Sequence, residues 1–424
     1  MNRRLWIKWL AAAPVYGAIA GQALSQKLYA ATGKAAAVDV YGKLGVRPFI
    51  NARGTWTYLS GSLELPEVRK AMGAAGEHFV DMFELQRAAG KRLAELSGAE
   101  SGIVTSGAAG AMAVATAACM AGTDPAKVWQ LPDTTGMKNE VVMLGGRSAF
   151  DSAIRLTGAK LVVIRKLEDL PAALNERTAM IYTTWLGERL QSALVVARKA
   201  GVPLMLDDAA GIPPIENLSL YAKMGVDLFC FSGGKGLRGP QCSGILLGRK
   251  HLMEAALAQS SPWEGAVCRA MKVGKEEIVG VLAAVEAWTK QDLAALNKEW
   301  SRRVERIAKI VETTRGVTTE IKIPEDGNRY PTLTVKWDEQ AWGFTVADCD
   351  KALRDGTPRI EVLTSSNPSL VPAVHEGWQA GRKQTVSRPD QLQIISMTLQ
   401  EGEELIVGRR LRDILSAAGK KKTA

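Results

Sequence analysis

The sequence predicts an α/β fold, with a large domain built on a mostly parallel sheet and a smaller α+β domain near the C-terminal end. Short, continuous apolar runs recur along the chain, for example at residues 161–164 and 228–231. Helical segments or loops separate most of these runs, which is typical of parallel strands covered on both faces of a sheet. The length of 424 residues and the hydrophobic content of 46% suffice for a large core.

The predicted elements follow one another from residue 46 onwards. An extended segment is predicted at 46–51, helices at 66–76 and 80–97, a strand at 101–105 and an alanine-rich helix at 108–120. Apolar strands are predicted at 141–144, 161–164, 180–183, 203–206, 228–231 and 244–247. A long helical stretch at 276–310 then leads to strands at 332–336 and 393–396 and to a terminal helix at 402–417.

The net charge of +10 is concentrated at the two ends of the chain. Five basic residues and no acidic residue precede position 38, and Lys420, Lys421 and Lys422 lie in the tail. The body between them is close to neutral and has no basic stripe interleaved with aromatic residues. This distribution argues against nucleic acid as a partner.

Cysteines and histidines give no sign of a disulfide framework or a metal site. The five cysteines are far apart, with no pair at the spacing of a zinc site, and the three histidines are equally dispersed. We interpret the cysteines as small buried hydrophobic residues and expect no metal.

The first 37 residues resemble a twin-arginine export signal. Arg3 and Arg4 precede a moderately apolar, alanine-rich stretch that continues to about residue 23. Pro14 and two glycines interrupt this stretch, which argues against a stable membrane span. The pattern favours an exported, periplasmic protein, and the alternative is an N-terminal amphipathic helix on a cytoplasmic one.

Three motifs carry the candidate chemistry, and the first is Ser106-Gly107-Ala108. It follows a predicted strand and begins a predicted helix. Backbone N–H groups at a helix N-terminus bind phosphate, and glycine allows the anion to approach closely. Such turns are common, so this motif alone has low specificity.

The second motif is Asp207-Asp208, which follows the apolar strand at 203–206. Ligands of α/β proteins bind at the carboxyl ends of such strands. A carboxylate there can keep the pyridine nitrogen of pyridoxal 5'-phosphate (PLP) protonated, which makes the ring an electron sink. Asp207 is the better candidate because it comes first after the strand. The alternative is a pair of loop acids that cap the next helix.

The third motif is Ser232-Gly233-Gly234-Lys235-Gly236, which follows the strand at 228–231. A lysine flanked by glycines has a backbone that other groups can approach closely. Beside a cofactor, such a lysine can act as a nucleophile and later as a general base. Ser232 is placed to donate to a cofactor phosphate. The alternative is a glycine-rich turn with a solvated lysine.

These motifs resemble those of fold-type-I PLP enzymes, specifically the selenocysteine synthase (seryl-tRNA selenium transferase) superfamily. The resemblance also rests on residues 50–55, on Gly239-Pro240-Gln241 and on residues 271–278, and it covers about residues 40 to 416. Within the superfamily the sequence is closer to the D-glucosaminate-6-phosphate ammonia-lyase-like branch.

The resemblance implies an aspartate-aminotransferase-like fold that binds PLP. It implies that Lys235 is the Schiff-base lysine and Asp207 the pyridinium partner, and that Ser106, Gly107, Ala108 and Ser232 surround the phosphate. It also implies a homodimer or a larger homo-oligomer with the active site at a subunit interface. The expected domains are an export segment at 1–37, a PLP-binding domain at 38–290, a small domain at 291–417 and a basic tail at 418–424.

Two features depart from the pattern of the superfamily. An export-like segment occupies the place of the N-terminal tRNA-binding region of the selenium transferases. Many relatives also have a histidine or aromatic residue that stacks on the PLP ring within the stretch matching residues 145–151, where this chain has no histidine. Arg147 and Phe150 are the alternatives for that stacking role.

The function expected from the motifs and the resemblance is a PLP-dependent lyase. Its substrate would be an amino acid or amino-sugar acid, which loses its α-proton and a β-substituent to give a 2-oxo acid and ammonia. Arg53, Arg359 and Arg388 are candidates for binding the substrate carboxylate, with surface arginines as the alternative interpretation. Alternative functions are selenium transfer to seryl-tRNA, another PLP transferase or racemase reaction, and a non-catalytic protein of the same fold.

Overall fold

A computed structural model describes residues 40–324, 329–364 and 391–420 of the chain. The predicted export segment, Arg388 and residues 421–424 of the basic tail lie outside these ranges.

The strands are numbered here in chain order over the described ranges. They are β1 (Phe49–Ala52), β2 (Ser101–Thr105), β3 (Glu140–Leu144), β4 (Lys160–Ile164), β5 (Thr178–Thr183), β6 (Leu204–Asp207), β7 (Leu228–Ser232), β8 (Gly244–Gly248), β9 (Thr318–Lys322), β10 (Thr332–Lys336), β11 (Arg359–Val362) and β12 (Leu392–Ile395).

The α-helices are numbered in the same way. They are α1 (Pro66–Gly76), α2 (Met82–Ser97), α3 (Gly107–Ala121), α4 (Pro125–Gln130), α5 (Ser152–Arg155), α6 (Leu170–Ala173), α7 (Gly187–Ala200), α8 (Asn217–Met224), α9 (Lys250–Gln259), α10 (Lys275–Trp288), α11 (Leu293–Val311), α12 (Glu339–Trp342), α13 (Val346–Asp355) and α14 (Glu403–Lys420). Short 3-10 helices lie at Gly42–Leu44, Thr57–Leu59, Ala149–Asp151 and Leu167–Asp169.

A seven-stranded sheet with the order β2-β8-β7-β6-β5-β3-β4 forms the centre of the larger unit. Only β8 runs antiparallel to its neighbours in this sheet, so the predicted α/β class with a mostly parallel sheet is confirmed. Helices cover both faces and form two separate apolar clusters. Because both faces are covered, the strands read as continuous apolar runs in the sequence.

Helix α3 is buried almost throughout, and its alanines and glycines allow it to pack closely against the sheet. It begins directly after β2, so its N-terminus lies at the edge of the sheet where β2 ends. This edge is the one on which the candidate residues lie.

The C-terminal unit has its own apolar cluster, to which β1 contributes Ile50 and Ala52. Strands β12, β10 and β9 form an antiparallel sheet, and β1 pairs in parallel with β11. The segment at 49–52, which the predicted domain division assigns to the large domain, therefore packs with the C-terminal unit. The division itself stays a prediction.

The helical stretch predicted at 276–310 consists of two helices in the structure, α10 and α11. Asp292 accepts a hydrogen bond from the backbone N–H of Ala295 at 3.0 Å and so caps α11. A carboxylate at this position satisfies an N–H that has no partner within the helix, which favours a new helix start over continuation. No helix of the described ranges combines the length and apolar character that crossing a membrane requires.

Candidate active site

The register of the main sheet brings the three predicted motifs to one edge. Thr105 at the end of β2 and Ser232 at the end of β7 both pair with Gly244, the first residue of the antiparallel β8. Asp207 at the end of β6 pairs with Cys230 on β7. The sheet therefore places the Ser106 turn, the lysine loop after Ser232 and the Asp207 carboxylate side by side.

The Asp207 carboxylate accepts three hydrogen bonds. The Tyr182 hydroxyl donates to Oδ2 at 2.8 Å, the Ala209 backbone N–H donates to Oδ1 at 3.1 Å, and the Cys230 thiol lies 3.6 Å from Oδ1. A carboxylate has about four lone-pair positions, so capacity remains for one further donor. A protonated pyridine nitrogen is a donor of the kind that such a position favours.

The neighbouring Asp208 has a separate environment. It is buried, with 8% of its surface exposed, and accepts a hydrogen bond from the Tyr221 hydroxyl of α8 at 2.5 Å. Burial raises the pKa of Asp208, and the Tyr221 hydrogen bond and the charge of Lys235 oppose that rise. The two acids are therefore distinct, and each is bound by its own tyrosine. Within the described residues, neither carboxylate caps helix α8.

Lys235 lies in a turn that packed backbone fixes on two sides. The Ser62 hydroxyl donates to the Lys235 carbonyl oxygen at 2.7 Å, and the Gly239 N–H donates to the Gly233 carbonyl oxygen at 2.8 Å. A Cβ at Gly236 would overlap the Ile212 carbonyl oxygen. The glycines around the lysine are therefore required by close packing of this turn.

The charge of Lys235 acts on two groups next to Asp207. Burial raises the pKa of the Cys230 thiol well above its usual value, and the positive charge of Lys235 opposes that rise. The same charge acts on Asp208. Because Cys230 itself lies against Asp207, these effects put the lysine charge in the neighbourhood of the predicted pyridinium partner.

The N-terminus of α3 provides the predicted phosphate position. Ser106 precedes the helix and makes no capping hydrogen bond with its side chain, and Gly107 has a φ of +76°. A Cβ at Gly244 would meet the backbone of Gly107 and Ala108, so glycine at the start of β8 allows this turn to approach the sheet. N–H groups in the first turn of a helix are donors that an anion can bind.

The two stacking candidates in the stretch at 145–151 have different environments. The Arg147 guanidinium binds the Asp151 carboxylate, with a 3.0 Å bond from Nη2 to Oδ1, and Phe150 is 55% exposed. The indole of Trp185, in the loop that follows β5, lies against Gly145. Whether Arg147 or Phe150 stacks on the ring stays a prediction.

Arg53 directly follows β1, and Arg359 is the first residue of β11. Arg53 is buried and donates to the Val362 carbonyl oxygen at 2.8 Å. Arg359 donates through Nε to Glu361 at 2.8 Å and lies 5.3 Å from the centre of the Phe49 ring. Both guanidinium groups thus have partners within the C-terminal unit, and a substrate-binding role for them stays a prediction.

Tyr182, Cys230 and Ser62 were not identified from the sequence. Tyr182 and Cys230 lie within apolar strands, where a single polar atom is easily taken for part of the core. A hydroxyl one residue before the end of a predicted strand was the available signal for Tyr182. No local signal exists for Ser62, because it meets the lysine turn across 173 residues of sequence.

Comparisons with known proteins agree with this arrangement. No family model matches the chain. A 5'-C-glycyluridine monooxygenase-decarboxylase from Streptomyces sp is 33% identical over 339 residues, which cover 76% of this chain and 83% of that protein. The D-glucosaminate-6-phosphate ammonia lyase of Salmonella typhimurium is 29% identical over 397 residues, with 90% and 99% covered. A solved structure of D-glucosaminate-6-phosphate ammonia-lyase aligns with a TM-score of 0.73 at 28% identity over 90% of this chain and 99% of that one.

The fold and these relatives define a PLP-dependent enzyme of fold type I. The chain belongs to the selenocysteine synthase superfamily and to its D-glucosaminate-6-phosphate ammonia-lyase-like branch. An L-seryl-tRNA(Sec) selenium transferase of Moorella thermoacetica is more distant, at 26% identity over 65% of each chain.

Proposed function

We propose that the protein is a PLP-dependent lyase that releases ammonia from an amino acid or amino-sugar acid. The observation that carries this proposal is the convergence of the Lys235 turn and the Asp207 carboxylate at one sheet edge, in a chain 29% identical to an ammonia lyase over 90% of its length. PLP, when bound, supplies a sink for the electron pair that the α-carbon keeps after it loses its proton.

The residues of this chain have distinct roles in the proposal. Lys235 holds the cofactor through its ε-amino group and, once released, accepts the α-proton of the substrate. Asp207 faces the pyridine nitrogen and keeps a proton there. Ser106, the first turn of α3 and Ser232 bind the phosphate. The pair retained at the α-carbon would form a double bond to the β-carbon while the β-substituent leaves with the electrons of its own bond. Protonation of the β-carbon and replacement of the nitrogen by water at the α-carbon would then give a 2-oxo acid and ammonia.

The identity to the monooxygenase-decarboxylase favours a second candidate, an oxygen-dependent decarboxylation of an α-amino acid. Both reactions begin at the α-carbon, and their products differ. A lyase releases ammonia and a 2-oxo acid without oxygen, whereas the second reaction consumes dioxygen and releases carbon dioxide. Selenium transfer to seryl-tRNA, the third possibility, would require the protein to bind seryl-tRNA, which a gel-shift assay measures.

The first experiment is an absorption spectrum of the PLP-loaded protein before and after borohydride, for the wild type, Lys235→Ala and Lys223→Ala. Lys223 is an exposed lysine on α8 and serves as the control. We expect a visible band in the wild type and in Lys223→Ala, which borohydride converts into a stable adduct on Lys235, and no such band in Lys235→Ala. A band and adduct that survive Lys235→Ala would contradict the assignment.

The second experiment identifies the reaction. The wild type is incubated with amino acids and amino-sugar acids in deuterated water, with and without oxygen, and ammonia, 2-oxo acid, carbon dioxide and deuterium at the α-carbon are measured. We expect ammonia and 2-oxo acid in the absence of oxygen. Product formation that requires oxygen would replace the lyase by the second candidate.

We also propose that the protein is a homo-oligomer and that residues 1–37 direct its export. The exposed apolar side chains of Trp56, Leu63 and Phe79 support the oligomer. The Arg3-Arg4 pair before an apolar stretch supports export. Fusing residues 1–37 to a reporter that folds in the cytoplasm tests the second, because only a twin-arginine signal would export the folded reporter, and only with both arginines intact.

A further inference from the structure

Three donors on neighbouring elements fix the Asp207 carboxylate. Tyr182 reaches it from β5 at 2.8 Å, Cys230 from β7 at 3.6 Å, and the Ala209 N–H from the loop that follows β6 at 3.1 Å. The two side-chain donors flank β6 on opposite sides because β6 lies between β5 and β7 in the sheet. The carboxylate is thus bound from both neighbouring strands.

Both side-chain donors keep their protons. Burial, reinforced by the negative charge of Asp207, raises the pKa of the Tyr182 hydroxyl. Burial, again reinforced by Asp207, raises the pKa of the Cys230 thiol. A buried hydroxyl that remains protonated is a constant donor, and donation to a carboxylate favours the ionised form of that carboxylate. The thiol is the weaker donor of the two.

We propose that Tyr182 is a positioning residue, whose hydroxyl holds the Asp207 carboxylate oriented for the pyridine nitrogen of the cofactor. This inference rests on the proposed role of Asp207. Tyr182 acts through that carboxylate. Its loss should therefore change the charge on the pyridine ring of PLP and the affinity of the protein for PLP.

Other charged and titratable groups surround this pair. Asp208 follows Asp207 directly, and the positive charge of Lys235 acts on both Asp208 and Cys230. Asp151, in the loop after β3, adds its negative charge to the environment of Tyr182. None of these groups donates an O–H to Asp207 among the described residues, so the Tyr182 hydroxyl has no substitute there.

The chain offers a matched control in Tyr221. Tyr182 and Tyr221 each donate a buried hydroxyl to one of two adjacent carboxylates, Asp207 and Asp208. Tyr182→Phe and Tyr221→Phe therefore remove the same group from two comparable environments. Loss of a hydrogen bond to a charged group costs about ten-fold or more in an equilibrium that depends on it.

The experiment compares the wild type, Tyr182→Phe and Tyr221→Phe by PLP titration and by the visible absorption of the loaded protein as a function of pH. We expect Tyr182→Phe to bind PLP about ten-fold more weakly. Its visible band should also change at a higher pH, because a ring that holds its nitrogen proton less firmly withdraws less charge from the linkage to Lys235. Tyr221→Phe should match the wild type in both measurements.

Equal shifts in the two variants, or none in Tyr182→Phe, would overturn the proposal. A double variant with Asp207→Asn gives an independent test, since Tyr182→Phe should weaken PLP binding no further once Asp207 is neutral. If Tyr182→Phe does not fold, 3-fluorotyrosine at position 182 keeps the hydroxyl and makes it a stronger donor, so the band should move to lower pH, and an unmoved band would overturn the proposal. Failure of the proposed function is distinguishable, because the wild type would then lack the visible band altogether.

Discussion

Gly236, the residue after Lys235, shows how tightly the lysine turn is packed. A Cβ there would overlap the Ile212 carbonyl oxygen and the Tyr330 hydroxyl. The Tyr330 ring is itself fully buried and packs edge-on against Trp300, with 5.2 Å between ring centres. The turn therefore has no room to relax away from a side chain.

We expect Gly236→Ala to lower the free energy of unfolding by about 2 kcal/mol and to reduce PLP occupancy, because overpacking displaces the backbone next to Lys235. Denaturant unfolding and the visible band measure the two effects. Gly73→Ala is the control, since Gly73 is exposed on α1 with open space around it, and alanine favours a helix. Stability of Gly236→Ala equal to that of Gly73→Ala would contradict this packing argument.

At the scale of single residues, the sequence identified those candidates that a local pattern marks. Lys235 stands between glycines and Asp207 ends an apolar run, and the structure brings both to one edge. Tyr182 escaped notice because its contact with Asp207 depends on the order of strands, which a strand's own residues do not encode. The catalytic roles of Lys235 and Asp207 stay predictions until the variants are measured.

Helix α11 has ion pairs within itself and a hydrogen bond to the segment that precedes α14. Glu299 binds Arg303 at 2.9 Å and also Arg302, and Arg303 in turn donates to the Leu399 carbonyl oxygen. Hydrogen bonds from Arg302 and Arg303 lower the pKa of Glu299 to about 2. A carboxyl group whose pKa is lower in the folded than in the unfolded protein stabilises the fold at any pH above the unfolded-state pKa. This stabilisation is lost as the pH falls toward the folded-state pKa.

We expect Glu299→Gln to reduce the free energy of unfolding by about 1 kcal/mol at neutral pH, since the carboxylate is partly exposed. The difference from the wild type should narrow as the pH falls from about 4.5 to about 2. Chemical denaturation at several pH values measures this trend. Glu305→Gln on the same helix is the control, because Glu305 is exposed, and a similar loss in that variant would argue against the ion pairs as the cause.

Element bounds were predictable where periodicity and end signals coincide. The strand at 101–105 and the helix at 66–76 were predicted with the bounds that the structure has. The break between α10 and α11 was not, because Asp292 reads as one more polar residue of a long amphipathic helix. A capping carboxylate can be recognised in a sequence only when a separate signal, such as a glycine or proline, ends the preceding helix.

On the scale of the whole molecule, several large apolar side chains between residues 56 and 79 are exposed. Phe79 is fully exposed, and Trp56 and Leu63 are 44% and 58% exposed. The segment that carries Trp56 and Leu63 also holds the turn, since Ser62 donates to the Gly234 and Lys235 carbonyl oxygens. Large exposed apolar groups of this kind are typical of subunit interfaces.

We expect the wild type to form a homodimer or a larger homo-oligomer and Phe79→Lys to weaken it, because a buried lysine at the interface would lose its hydration. Light scattering after size-exclusion chromatography measures the mass. Val195→Lys on α7 also replaces an exposed apolar side chain with lysine and should leave the mass unchanged. A monomeric wild type would refute the proposed oligomer, and an unchanged mass in Phe79→Lys would place the interface elsewhere.

The pairing of β1 with β11 has a consequence for how the protein is made. Arg53, just after β1, binds Val362 at the end of β11, and 309 residues separate them. During synthesis the first strand emerges long before its partner, so Ile50 and Ala52 cannot be covered until nearly the entire chain has left the ribosome. Strand β1 therefore stays unpaired until β11 has been synthesised. Contacts between segments so distant in sequence slow folding. We therefore expect chaperone dependence to fall on the nascent N-terminal segment, and a ribosome-stalled chain that ends before residue 359 to leave that segment open to protease.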